Sequence, residues 1–183
     1  MRKMPSILFL CCIAITLCAC APIQGGRILF DDSHSIVDAR VEKLIEAIND
    51  RDTEAIKALF SGQTLNEVLD FDESIERLFE FIPGEIVSWE STGSYSSQTS
   101  NHYGHKTKEV SSSYYFYVDA DKEEYVILLN DFFVDTDNPD RVGFYLLIAT
   151  RSDGWERIAD GDQKILFDGD KKLSPKGILV PFE

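Results

Sequence analysis

The side chains best equipped for chemistry are Tyr115, Tyr117, Asp119, Asp131 and Tyr145, all within segments of alternating apolar character. A carboxylate beside a phenol is the minimum for proton transfer at carbon, the first taking the proton and the second donating to the developing oxyanion. Asp119 and Asp131 fall near the ends of their segments, where solvated carboxylates are ordinary, and no histidine–carboxylate dyad accompanies them. No catalytic residue is assigned. His102 and His105 supply two imidazoles within Asn101-His102-Tyr103-Gly104-His105, and a metal needs at least one donor more. The acidic run starting at Asp119 has Glu124 where a calcium loop needs glycine and Asn130 where it needs glutamate. Neither a G-x-x-x-x-G-K-[ST] phosphate loop nor a G-x-S-x-G nucleophile elbow occurs. The sequence therefore predicts no metal and no cofactor. Trp89 and Trp155 join Tyr115, Tyr117, Asp131 and Tyr145 as candidate ligand contacts, since Trp and Tyr combine a broad apolar ring with a polar handle suited to sugars, peptides or a partner surface.

Charge narrows the choice of partner. The 183 residues carry 18 Lys and Arg against 32 Asp and Glu, a net charge of -14. Binding to nucleic acid draws on cations that displace counterions from phosphates, so no nucleic-acid partner is expected. Apolar residues make up 44% of the chain, enough for a folded core.

The four cysteines, Cys11, Cys12, Cys18 and Cys20, all lie near the N-terminus, which leaves no thiol for a disulfide or metal site in the body. Arg2 and Lys3 precede an apolar run from Ile7 to Leu17, too short to span a bilayer as a helix and laid out like a secretory signal. Leu17-Cys18-Ala19-Cys20 resembles the lipobox of bacterial lipoproteins, with Cys18 standing where a small or hydroxyl residue is usual. The resemblance implies removal of a signal peptide over 1–19, lipidation of Cys20, and tethering to the extracytoplasmic side of the cell membrane. Residues 20–32, including the Gly- and Pro-containing stretch from Ala21 to Arg27, read as a spacer, and 33–183 as a single domain.

That domain must position the candidate residues. Val37, Val41, Leu44, Ile45 and Ile48 form one helical stripe over Ser35 to Asn49, with Ser35 as N-cap. Asp52 caps a short second helix ended by Gly62 in a left-handed turn. Thr64 and Glu67 fit a capping box for a third helix, and a fourth starts at Asp72 and closes before Pro83-Gly84. Period-two patterning then predicts strands over Glu85 to Ser96, Lys106 to Asp119, Glu124 to Val134, Arg141 to Thr150 and Trp155 to Asp160, joined as an antiparallel meander. Strict alternation turns Val87 and Trp89 toward the core, and sets Phe144, Leu146 and Ile148 on the face opposite Tyr145, Leu147 and Ala149. The two Asp-Gly-Asp triplets at 160–162 and 168–170 read as turns. Several strands are apolar on both sides, so the face away from the helices needs cover from the C-terminal stretch, a ligand or a second copy in a homodimer.

The fold class is α+β, with N-terminal helices packed on a curved antiparallel sheet. The segment from Ile45 to Phe60, an apolar helix ending in a polar turn and a second helix closing on Leu59-Phe60, is similar to the first helix pair of the nuclear-transport-factor-2-like superfamily. With the lipobox, it resembles the bacterial lipoproteins of the family called domain of unknown function 5104. The resemblance implies a cone-shaped sheet, in a superfamily holding isomerases, dehydratases and many non-catalytic binding modules. The sequence thus predicts a membrane-anchored extracytoplasmic lipoprotein that binds a small molecule or an envelope protein without catalysis. The alternative is a small-molecule isomerase or dehydratase using a pocket carboxylate and tyrosine.

Overall fold

The computed structural model describes residues 30–102, 105–155, 167–168, 171–172 and 174–180. The signal, Cys20 and most of the fifth expected strand lie outside the described residues. Helix α1 (Phe30–Asn49) forms on the predicted stripe, and Val37, Val41, Leu44, Ile45 and Ile48 are all buried. It begins ahead of Ser35, which is therefore an interior helical residue and not the cap. Arg51 adopts positive φ after α1, and its guanidinium donates to the carbonyls of Phe79 and Pro83 (both 3.2 Å) at the far end of the helical layer. Asp52 caps α2 (Thr53–Leu59), its carboxylate accepting from the amide of Ala55 at 2.9 Å.

The next junction differs from the expected one. Gly62 does not end α2; it is the first residue of α3 (Gly62–Glu67), and Ser61 is the N-cap. Ser61 Oγ accepts from the amide of Thr64, so Thr64 occupies the third helical position rather than the cap. Helix α4 (Phe71–Phe81) buries Phe71, Ile75, Leu78 and Phe79, and starts one residue before the predicted Asp72.

Strands β1 (Ile86–His102), β2 (His105–Ala120), β3 (Glu123–Asp135) and β4 (Gly143–Arg151) pair antiparallel in sequence order. Asn49 fastens the first of them to α1: its side-chain amide donates to the carbonyl of Ile86 and its oxygen accepts from the Ile86 amide at 2.8 Å. β2 and β3 join through Asp121 and Lys122, both at positive φ as a tight two-residue hairpin requires. β5 (Phe167–Asp168) and β6 (Lys171–Lys172) form a separate two-stranded ladder around the second Asp-Gly-Asp triplet. The main sheet is mixed and not purely antiparallel: β7 (Gly177–Leu179) adds parallel to β4, with Leu147 opposite Ile178. Three residues are too few to show a period, which is why this strand escapes sequence reading. Trp155, the expected start of a strand, instead ends a short helical turn after Arg151.

Tyr114, Phe116, Val118, Tyr125, Ile127, Leu129 and Phe144 meet the helices across the inner face, with Phe60 set edge-on to Phe71 (4.8 Å) and Phe144 (5.7 Å). The register shifts once in each of the three antiparallel pairings of the main sheet, and two of these bulges change the expected facing of named residues. At the start of β1 the register slips between Ile86 and Ser88, leaving Val87 75% exposed instead of core-facing. In β4 the register slips between Phe144 and Leu146, so Tyr145 is the extra residue. Phe144, Leu147 and Ala149 consequently share the inner face, and Leu146 and Ile148 turn outward, correcting the assignment by strict alternation.

The β4 bulge sits where the sheet meets the α2–α3 junction. Gly143 has φ of +126°, and a Cβ there would lie 2.7 Å from the Ser61 nitrogen and 2.9 Å from the Phe60 carbonyl carbon. The Ser61 amide donates to the Phe144 carbonyl at 2.9 Å. Gly143→Ala is expected to lower stability by about 2 kcal/mol or more, through strained φ and backbone collision. Gly62→Ala, whose Cβ would meet the Asp140 carbonyl oxygen at an ordinary 3.9 Å, should be neutral or stabilising by up to about 1 kcal/mol. Urea midpoints of the two variants check the contrast.

Candidate functional site

The six candidate ligand residues do not converge. Trp89 packs half-buried on the inner face, edge-on to Phe116 at 6.3 Å, and Asp131 lies on the same face beneath α1. Tyr115, Tyr145 and Trp155 pack on the outer face with Leu128, Leu146, Ile148 and Leu179. Tyr115 lies 5.2 Å from Trp155 and 6.0 Å from Tyr117, so three of the six form one outer aromatic cluster. Leu146 and Ile148 are almost wholly buried there, within one chain. Among the described residues no group of three or more His, Cys, Asp or Glu is arranged to hold a metal. The described residues also contain no helix long and apolar enough to cross a membrane.

Two arrangements carry chemical potential, one on each face. On the inner face, Asp131 lies opposite Ser112 of β2 and Phe144 of β4, and its side chain is fully buried. Arg40 of α1 donates to Asp131 Oδ1, and its guanidinium sits 4.9 Å from the Phe133 ring centroid. Asp131 Oδ2 has no hydrogen-bond partner among the described residues. Burial raises the Asp131 carboxyl to about 6 from an ordinary 3.8, and the attraction and hydrogen bond of Arg40 only partly oppose it. Sequence reading passed over Arg40, although a signal existed: it lies between Val37 and Leu44 on the apolar stripe, where an unpaired cation has no place.

On the outer face, a groove of about 300 Å³ is lined by Ser61, Gln63, Thr64, Phe132, Arg141, Tyr145 and Lys176. Its walls come from α3, β3, the turn before β4, β4 itself and the lead into β7. The bulge is what delivers Tyr145 to it, edge-on to Phe132 at 5.9 Å and 73°. Arg141 stacks on Phe132, 4.2 Å from its centroid, while its Nη1 donates to Asp135 (2.8 Å) and Glu109 (3.2 Å). Asp135 is itself fixed, its other oxygen accepting from the amides of Asp137 and Asn138. Lys176 pairs with Glu67, which also accepts from Gln63 at 2.6 Å, and these contacts hold the Glu67 carboxyl below its usual range. Ser61 Oγ donates to Thr64 Oγ1 at 2.8 Å. Only Tyr145 of this groove was legible as a candidate. The other lining residues are polar or aromatic types unremarkable in isolation, and the turns and bulge that gather them leave no local pattern.

With this geometry in place, comparison with known proteins adds one finding. A family model described as a domain of unknown function (DUF5104) matches residues 43–152, a span that includes Asp131, Phe132, Arg141 and Tyr145. No curated protein matches the chain.

The buried carboxyl makes a signed prediction. Because its folded pKa lies above its unfolded one, folding binds a proton between about pH 4 and 6, and this contribution to stability is full below that window and lost as pH rises through it. Lifting the group from 3.8 to about 6 corresponds to roughly 3 kcal/mol at most. The stability of wild type relative to Asp131→Asn should therefore rise by about 1–3 kcal/mol from pH 7.5 to pH 4.5. Paired urea titrations at the two pH values measure it, and equal differences would remove the assignment.

Proposed function

Since the chain belongs to the DUF5104 family, whose description assigns no activity, we propose from its own residues that it is a lipid-tethered, extracytoplasmic binding module, not an enzyme. The observation that carries this reading is the outer groove, where two rings and five polar or cationic side chains meet from segments far apart in sequence. Its volume is at the small end for ligand clefts, roughly 300–1,000 Å³. The lipobox-like Leu17-Cys18-Ala19-Cys20 and the short spacer after it support the tether. A net charge of -14 opposes adsorption to an anionic bilayer, so acyl chains on Cys20 would supply the attachment. Helices followed by an open sheet are consistent with the nuclear-transport-factor-2-like reading.

A second reading is favoured by Asp131 alone. With its carboxyl near 6, it is mostly ionised at neutral pH and has an unfilled oxygen that can accept a proton. This is the carboxylate an isomerase or dehydratase needs. The phenol that would complete the pair makes no hydrogen bond to Asp131 Oδ2 among the described residues.

The tether and the groove are tested separately. In bacteria producing the full chain and fed an alkyne-bearing fatty acid, wild type should take up the label and sediment with membranes, and Cys20→Ala should lose both; label retained by the variant counts against the tether. Screened by NMR against a small-fragment library, the full chain should show shifts concentrated at Phe132, Arg141 and Tyr145. Shifts centred on Arg40 and Asp131 would favour the second reading.

A further inference from the structure

We propose that the outer groove binds an uncharged saccharide of one or two pyranose rings, an inference that rests on the groove being a ligand site. Charge balance comes first. Arg141 is already compensated by Asp135 and Glu109, and Lys176 by Glu67. Among the described residues that line the groove, an anion would find no uncompensated cation, and it would approach a chain of net charge -14. A cation would find carboxylates already paired.

What the ion pairs still offer is hydrogen bonding. Arg141 makes both of its carboxylate contacts through Nη1, although a guanidinium carries five N–H donors in a planar fork. A carboxylate has about four acceptor positions, more than Glu67 and Glu109 use in the contacts described. A guanidinium beside a carboxylate therefore presents donors and acceptors side by side. Vicinal hydroxyls, each donating and accepting at once, match that array, and neither a hydrocarbon nor a simple ion does.

The rings set the shape. Phe132 and Tyr145 meet at 73°, forming a corner, not the parallel slot that a flat aromatic ligand would fill. One face of Phe132 is occupied by the Arg141 guanidinium, which fixes that ring as a wall. Tyr145 is left half-buried at the bulge, its ring available to the C–H face of a pyranose while hydroxyls at the sugar's edge reach Arg141, Gln63 and Lys176. A cavity of about 300 Å³ walled by two rings and five polar or cationic side chains suits a mono- or disaccharide.

The test uses the full chain in a detergent without a sugar headgroup. Methyl glucoside, maltose and diacetylchitobiose are titrated as neutral probes, with inorganic phosphate, malonate and a lysine peptide as charged ones, by saturation-transfer NMR and calorimetry. At least one neutral sugar should bind, receive saturation on its ring C–H protons, and change in affinity by less than about twofold from roughly 0.05 to 0.5 M NaCl. Tyr145→Ala should weaken it about tenfold or more, and Tyr145→Phe should retain it within about threefold. Gln63→Ala, at a half-buried position, gives an independent loss of about threefold should Tyr145→Ala fold poorly. Binding confined to charged probes and collapsing with salt would overturn the saccharide inference and leave the groove as a ligand site. Binding of no probe, neutral or charged, would overturn both.

Discussion

The layered arrangement depends on one close approach of backbone to backbone. Gly143 enters β4 against the peptide linking α2 to α3, near enough that the Ser61 amide donates to the Phe144 carbonyl. No residue with a Cβ fits that gap at that φ. From this contact follow the edge-on stacking of Phe60 on Phe144, the cap that starts α3, and the position of the bulge at Tyr145. Because the bulge changes which residues face the helices, the same contact decides both the composition of the core and the side chain delivered to the groove.

The two faces of the sheet solve different problems. Inside, Asp131 and Arg40 bring an ion pair into an apolar layer, and the cost of dehydrating the carboxylate is visible in its raised pKa. Outside, charges cluster at the rim of an aromatic layer, where Arg141 remains about one-third exposed and its pairing with Asp135 mainly orients side chains. A buried pair fixes the position of α1 on the sheet, since any slide of the helix would separate Arg40 from Asp131. The rim pairs fix the shape of a cleft.

Much of the architecture is written in periodicity. The helical stripe of Val37, Val41, Leu44, Ile45 and Ile48, the cap at Asp52 and the four long strands can all be read from spacing, because burial repeats at 3.6 or at 2 residues over many positions. The bulges at Val87 and Tyr145 cannot, since each inserts a single residue whose effect depends on a partner strand. Thr64 was a plausible cap by type, and Ser61 took the role because tertiary contact fixed the chain one turn earlier. The candidate site was less legible than the fold. Residue type singled out Tyr145 and Asp131, but their neighbours Arg141, Lys176 and Arg40 gain meaning only from contacts spanning much of the chain.

β1 occupies the outer edge of the main sheet over seventeen residues, a length at which free backbone groups ordinarily invite unwanted pairing with other chains. Its sequence from Ser88 onward is dominated by serine, with threonine, glutamine and asparagine, and has few apolar residues after Trp89. A neighbour aligning along this border would form peptide hydrogen bonds but hide little oily surface, so the gain over hydration by water is slight. On composition alone, this border therefore gives a second strand little to hold it in place.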